Sequence, residues 1–253
     1  MKFKLILLIS LLLFSNFSWS QKSTKDRIKT QNSFIEIQPI LHSSFILTYN
    51  NNTIYVDPYG GADLYHGINS PDIILITDIH GDHLNQNTLD GIDTSKAIFI
   101  VPESVANKLP EKYNSKVVIL NNGQGVHRFG IFIKAIAMYN LPEEESSKHP
   151  KGRGNGYVLT IDDKHIYISG DTEDIQEMRM LKNIDIAFIC MNLPYTMNIS
   201  QAASAVLEFQ PKIVYPFHYR GKGGFSDISA FKNLVNSKNP TIEVHLKNWY
   251  PKN

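Results

Sequence analysis

The sequence has little cysteine and almost no excess of charge of either sign. Its 253 residues include one cysteine, Cys190, so no disulfide can form within the chain and stability depends on packing and on any bound metal. Lys and Arg together number 25 and Asp and Glu 24, a formal net charge of +1. This balance gives no basic surface for nucleic acid or for an anionic membrane, so we expect a small-molecule substrate rather than a nucleic-acid partner.

The apolar run near the N-terminus, Leu5 to Phe14, is too short to span a bilayer. Two lysines precede it and Ser18-Trp19-Ser20 follows, a pattern typical of a secretory signal peptide cleaved before Gln21. The absence of a nearby cysteine argues against a lipoprotein anchor, and retention as an uncleaved anchor is the alternative. We predict an exported protein, periplasmic or secreted, with no stable membrane anchor after processing. Its parts would be a signal peptide (1–20), a flexible leader (21–33) and one α/β domain (34–253).

Four potential metal ligands lie within six positions directly after the apolar run 73–76. They are Asp78, His80, Asp82 and His83. Imidazoles and carboxylates at the end of a buried strand cost desolvation energy unless a cation neutralises them. A helix-capping turn would account for one aspartate but for neither histidine. The stretch therefore predicts a metal site.

This stretch resembles the His-x-His-x-Asp-His motif of the metallo-β-lactamase superfamily, with Asp78 in place of the first histidine. The later candidate ligands His149, Asp171 and His218 follow in the order in which that superfamily supplies its remaining ligands. The resemblance covers about residues 34–246 and is greatest to the branch that includes the ascorbate-phosphate lactonases. It implies a four-layer αββα sandwich built from two pseudo-duplicated halves.

A faint internal repeat also predicts two related halves. The hairpin at 45–56 recurs 112 positions later at 157–168, and the strand at 72–76 recurs 113 positions later at 185–189. In a duplicated fold, the loops that begin at Asp78 and Met191 would meet along one edge and form the site there. The helices predicted for the outside are 175–181, 200–209 and 226–235.

The resemblance also implies which residues hold metal. One position would use Asp78, His80 and His149. The other would use Asp82, His83 and His218, with Asp171 bridging the two.

Because Asp78 is a carboxylate, two interpretations of the metal site stay open. Either Asp78 is a ligand in a dinuclear site that is less positive than an all-histidine one, or it only hydrogen-bonds a ligand beside a mononuclear site. Asp57 resembles the aspartate that supports the ligands in this superfamily. For His42 two roles stay open: it lines the site, or it is a structural histidine.

The implied activity is metal-dependent hydrolysis, in which metal-bound hydroxide attacks an ester, lactone, amide or phosphodiester. One or two Zn²⁺ ions are expected, with Mn²⁺ or Fe²⁺ as alternatives. Asp82 is the candidate catalytic residue, because its second oxygen could orient the nucleophile and carry its proton.

Basic residues in the loops beside His149 and His218 favour an anionic substrate, although a solvated basic loop would look the same. The candidate substrate-binding residues are Arg153, Tyr195 and Arg220. Two alternative functions remain. One is a phosphodiesterase of lipid-like or nucleotide-like substrates, and the other is a non-catalytic binding protein whose site is degenerate at Asp78.

Overall fold

Two seven-stranded sheets pack against each other in the part of the chain that the computed structural model describes, residues 25–251. The predicted signal peptide lies outside these residues. In the first sheet the spatial order equals the chain order. Its strands are β1 (Asp26–Lys29), β2 (Phe34–Leu41), β3 (Ser44–Tyr49), β4 (Asn52–Val56), β5 (Ile73–Leu75), β6 (Ile98–Val101) and β7 (Val117–Ile119).

The second sheet takes its strands from the rest of the chain. In chain order these are β8 (Gly125–Arg128), β9 (Ile131–Met138), β10 (Gly154–Ile161), β11 (Lys164–Ile168), β12 (Ile186–Cys190) and β13 (Ile213–Phe217). A small separate hairpin follows, formed by β14 (Arg220–Gly221) and β15 (Gly224–Phe225), and β16 (Glu243–Val244) then completes the sheet beside β13.

Helices cover the outer faces of both sheets. They are α1 (Gln86–Gly91), α2 (Glu103–Ala106), α3 (Gln176–Arg179), α4 (Ile199–Phe209) and α5 (Ile228–Lys238), together with 3₁₀ turns at Ala62–Tyr65 and Glu111–Lys116. The helix predicted at 175–181 is only one turn long, Gln176–Arg179, and Asn183 between it and β12 has a left-handed backbone (φ 57°). No helix within residues 25–251 combines the length and the apolarity needed to cross a bilayer.

Both faces of the central strands are buried, which explains their nearly continuous apolar sequences. In β5, Ile73 and Leu75 face the core between the sheets, whereas Ile74 packs with the helices outside. Phe45 of β3 stacks on Phe188 of β12 across the sheet interface, with ring centroids 4.2 Å apart. These contacts confirm the predicted four-layer αββα sandwich.

The strand pairing confirms the internal repeat. Phe45 pairs with Val56 in the first half, and Tyr157 pairs with Ile168 at the equivalent place in the second. In each half the hairpin is followed by a parallel strand, β5 beside β4 and β12 beside β11. Equivalent strands therefore end at equivalent points, which is why the loops that follow them come together.

Within the segment 21–33, predicted to be a flexible leader, Asp26–Lys29 forms the edge strand β1. Its backbone pairs with β2, and the hydroxyl of Tyr215 in the second sheet donates a hydrogen bond of 2.8 Å to Asp26. Four residues are too few to show a strand period in sequence, so this strand depends on the neighbour that it joins.

Candidate metal centre

Four loops that follow strands carry the candidate ligands to one edge of the sandwich. His83 lies in the loop after β5, His149 in the loop after β9, Asp171 after β11 and His218 directly after β13. His218 has a left-handed backbone (φ 47°), and its N–H donates to the carbonyl of His42 at 3.2 Å. This turn directs the imidazole back over the end of the sheet.

Three buried side chains, which we call the inner cluster, converge within hydrogen-bond distance of one another. They are His83, Asp171 and His218. The His83 and His218 Nε2 atoms are 3.3 Å apart, and Asp171 Oδ2 and Oδ1 lie 3.3 and 3.2 Å from them respectively. Asp171 Oδ1 has no hydrogen bond of normal geometry among the described residues. Two facing imidazole nitrogens and an unsatisfied carboxylate oxygen fit a divalent cation better than they fit one another.

Hydrogen bonds behind the histidines fix which nitrogen faces the cluster. His83 Nδ1 lies 2.8 Å from Asp57 Oδ2, and Asp57 is held by the backbone N–H and hydroxyl of Thr77. His149 Nδ1 lies 3.0 Å from Asn140 Oδ1, which leaves its Nε2 3.2 Å from Asp171 Oδ2. Carboxylates and amides in this position orient metal-binding imidazoles.

Two buried amides near the cluster escaped the sequence analysis. Asn140 supports His149, and the Asn192 side-chain nitrogen lies 3.3 Å from His218 Nε2. Each residue follows the end of a buried strand, β9 and β12 respectively. A neutral amide at a strand end gives a weaker signal than a charged residue, because its burial costs less.

A second group, the outer cluster, comprises Asp78, His80 and His149. Asp78 is fully buried, and its Oδ2 lies 2.6 Å from His80 Nδ1. The guanidinium of Arg153 also binds both oxygens of this carboxylate, at 3.0 Å each. Arg153 was predicted to bind substrate, but in the structure its guanidinium forms an ion pair with Asp78.

Asp82 lies between the inner cluster and solvent. Its Oδ2 is 3.2 Å from His42 Nε2 and 3.5 Å from His218 Nε2, and 31% of its side chain is exposed. The other nitrogen of His42 lies 2.7 Å from the hydroxyl of Tyr250. The structure thus places His42 behind Asp82, oriented by Tyr250.

An open cleft of about 320 Å³ leads to both clusters. It is lined by His80, Gly81, Asp82, Lys148, His149, Asp171, Asn192 and Tyr195. The loops after β5 and β12 meet here, as the duplicated fold predicts. Tyr195 lies in the cleft, whereas Arg220 lies outside its lining and stacks over the ring of Tyr250 at 4.9 Å.

Burial and charge act in opposite directions on the inner cluster. Burial lowers the pKa of His83, but Asp171, Asp57 and Asp82 together raise it well above its usual range. Burial raises the pKa of Asp171, but His218 and His83 hold it well below its usual range. Without metal, His83 therefore carries a proton that a divalent cation must displace, so metal binding strengthens as pH rises.

We expect His42 to make the metal-free protein less stable in mild acid. Burial, opposed by the hydrogen bond to Asp82, lowers the pKa of His42 from 6.5 to about 4. The unfolded chain then binds more protons than the folded one between these values, so stability is lost as pH falls. Between pH 7 and pH 5 the His42 contribution to the free energy of unfolding falls by about 2 kcal/mol.

Urea unfolding of the chelated protein at both pH values would measure this effect. His42→Gln should unfold with a correspondingly smaller pH dependence, because the glutamine cannot take up the proton. Replacement of the exposed His66 by glutamine is the matched control and should behave as the unsubstituted protein does. An equal pH dependence in all three proteins would contradict the assignment.

The comparisons with known proteins identify the family and the fold. The profile of the beta-lactamase superfamily domain matches residues 36–218. A metal-dependent hydrolase from Thermus thermophilus is 31% identical over 198 residues, 73% of this chain and 84% of the relative. Another from Pyrococcus horikoshii is 28% identical over 214 residues, 81% of this chain and 93% of the relative.

Two solved structures show the same architecture. A protein from Parabacteroides distasonis, described as a candidate metal-dependent hydrolase, superposes with a TM-score of 0.79 at 39% identity, over 89% of this chain and 98% of the other. A metallo-hydrolase from Ignicoccus hospitalis gives a TM-score of 0.71 at 23% identity, over 84% and 94%, and shows the fold alone. The chain described here therefore belongs to the metal-dependent hydrolases of the metallo-β-lactamase superfamily.

Proposed function

We propose that this protein hydrolyses an ester, lactone, amide or phosphodiester bond in a small anionic substrate. The observation that carries the proposal is the inner cluster, in which two buried imidazole nitrogens and an unsatisfied carboxylate oxygen converge beside an open cleft. With Asp82, this donor set of two imidazoles and two carboxylates suits Zn²⁺, and Mn²⁺ or Fe²⁺ as alternatives. A bound ion would make a water acidic and polarise the substrate oxygen.

Asp82 is proposed as the residue that moves the proton. Burial raises its pKa, but His83, His42 and His218 hold it well below its usual range, so the carboxylate is ionised at neutral pH. One oxygen faces His42, while the partial exposure of the side chain leaves the carboxylate accessible from the cleft. An ionised carboxylate held in this way can accept a proton from the attacking water and pass it to the leaving group.

The preference for an anion is supported by Lys148. This lysine lines the cleft, is exposed, and takes part in no ion pair within residues 25–251. Its ammonium lies 5.9 Å from the ring centre of Tyr195. An ammonium group beside the cleft, without a protein carboxylate to neutralise it, would attract and orient a phosphate or carboxylate group of the substrate.

We also propose that the protein is exported and acts without a nucleic-acid partner. Support comes from the lysines and apolar run of the first twenty residues and from the near-zero net charge of the chain.

The test compares hydrolysis of anionic and neutral substrates by the zinc-loaded protein. Lys148→Gln should lower kcat/KM roughly tenfold for bis(p-nitrophenyl) phosphate and for a carboxylate-bearing lactone, because a charge-assisted contact is lost. It should leave kcat/KM for neutral p-nitrophenyl acetate unchanged.

Lys151→Gln is the matched control, since Lys151 lies on the same loop but pairs with Glu143 at 2.9 Å. Equal effects of the two substitutions would refute the role of Lys148. If a metal-loaded protein hydrolysed nothing across ester, lactone, amide and phosphodiester panels, the hydrolase proposal itself would fail.

A further inference from the structure

The carboxylate at the altered motif position is fully engaged by a cation of the protein. Arg153 Nε donates to Asp78 Oδ1 and Arg153 Nη2 donates to Asp78 Oδ2, both at 3.0 Å. Asp78 is wholly buried, and only 20% of the Arg153 side chain is exposed. A two-point contact of this kind at a buried carboxylate is among the stronger ion pairs in proteins.

Two further hydrogen bonds, one from the guanidinium and one to the backbone carbonyl of Arg153, hold the loop that carries this residue. Arg153 Nη2 also donates to the carbonyl of Lys148 at 2.7 Å, within the same loop. The hydroxyl of Ser104 in α2 donates to the carbonyl of Arg153 at 2.6 Å, which ties the loop to the first sheet's outer layer. The guanidinium is therefore positioned by the fold rather than by Asp78 alone.

The Asp78–Arg153 pair has no net charge, like the neutral imidazole that the superfamily motif carries at this position. The carboxylate oxygens that a cation would need are already hydrogen-bonded. An ion entering the outer cluster must therefore share Asp78 with Arg153, whereas within residues 25–251 the ion pairs of Asp171 in the inner cluster are with histidines and with no arginine or lysine.

We propose that Arg153 competes with metal for Asp78, so that the outer cluster binds a divalent ion much more weakly than the inner cluster does. This inference rests on the proposed function, because it assumes that the inner cluster holds metal. Arg153 is thus a positioning residue for Asp78 that sets the metal occupancy of the outer cluster, and Lys148 remains as the cation available to substrate.

Titration of the chelated, full-length processed protein with Zn²⁺ against a chromophoric chelator tests the proposal. The unsubstituted protein should bind one equivalent tightly and a second weakly. Arg153→Met removes the guanidinium and keeps an apolar stem of similar length, so the second equivalent should bind roughly 10- to 100-fold more tightly. In Asp78→Asn/Arg153→Met the second equivalent should be weak again, because the carboxylate is gone.

Two further variants keep the test decisive. If Arg153→Met does not fold because Asp78 is left buried and unpaired, Arg153→Lys keeps the charge but loses the two-point contact, and the second equivalent should tighten by a smaller factor. Lys148→Met removes a nearby exposed charge without touching Asp78, and should leave the second equivalent unchanged. A second equivalent that is unchanged or weakened in Arg153→Met, or equally tightened in Lys148→Met, overturns the proposal.

Whether the first metal equivalent binds in the same titration distinguishes a failure of this inference from a failure of the proposed function. If every variant binds the first equivalent and the affinity for the second equivalent does not change, only the proposed competition between Arg153 and metal is refuted. Its absence from the unsubstituted protein refutes the proposed function as well.

Discussion

Replacing His83 with alanine should remove the tightly bound metal and abolish hydrolysis. His83 provides one of the three ligand atoms of the inner cluster and is held by Asp57 at 2.8 Å, so its loss leaves two ligands and an unpaired buried carboxylate. We expect kcat/KM to fall by roughly 10³-fold or more, since metal polarisation is worth several kcal/mol. Metal content should fall from one tight equivalent to near zero.

Plasma mass spectrometry of protein purified without chelators, together with kinetics, would measure both quantities. Ala at the exposed His66 is the matched control and should keep both metal and activity. His218→Ala, which alters the cluster from the other sheet, should reproduce the His83 result if the ligands form one site. Full metal content in a folded His83→Ala protein would disprove the assignment.

Replacing Asp82 with asparagine should separate metal binding from catalysis. The size and most contacts are kept, but an amide cannot accept a proton at neutral pH. Because the three residues of the inner cluster stay in place, we expect metal to remain bound, while kcat falls by roughly 10²- to 10⁴-fold. Metal binding itself should weaken less than in His83→Ala, because an amide oxygen takes the place of one carboxylate of the donor set.

The measurement is kcat at saturating zinc, with bound metal determined on the same sample. Asp63→Asn, at an exposed aspartate, is the control and should leave kcat unchanged. A metal-loaded Asp82→Asn protein with the kcat of the unsubstituted enzyme would show that the proton passes through another group.

The repeat could be predicted from local patterns of apolar residues, whereas the four layers were predicted with the help of the family resemblance. Alternation in β2 and continuous apolar runs in β5 and β12 reflect strands buried on one or both faces. The edge strand β1 was missed, since four residues carry no readable period and its stability comes from pairing with β2.

Residues of the candidate site could be predicted from the sequence only where an ionisable residue follows an apolar strand. Asp171 and His218 gave that signal. The contact between Asp78 and Arg153 did not, because it joins residues 75 positions apart through the fold of an irregular loop. Sequence proximity to His149 therefore predicted a substrate contact for Arg153, whereas the structure shows an internal ion pair.

The contact between His42 and Tyr250 joins residues 208 positions apart. The chain must therefore be synthesised as far as Tyr250 before this residue can orient His42. Contacts of such long range form late and slowly. Position 250 is therefore a poor place for a fusion or a truncation, because loss of Tyr250 would leave His42, and through it Asp82, without this contact.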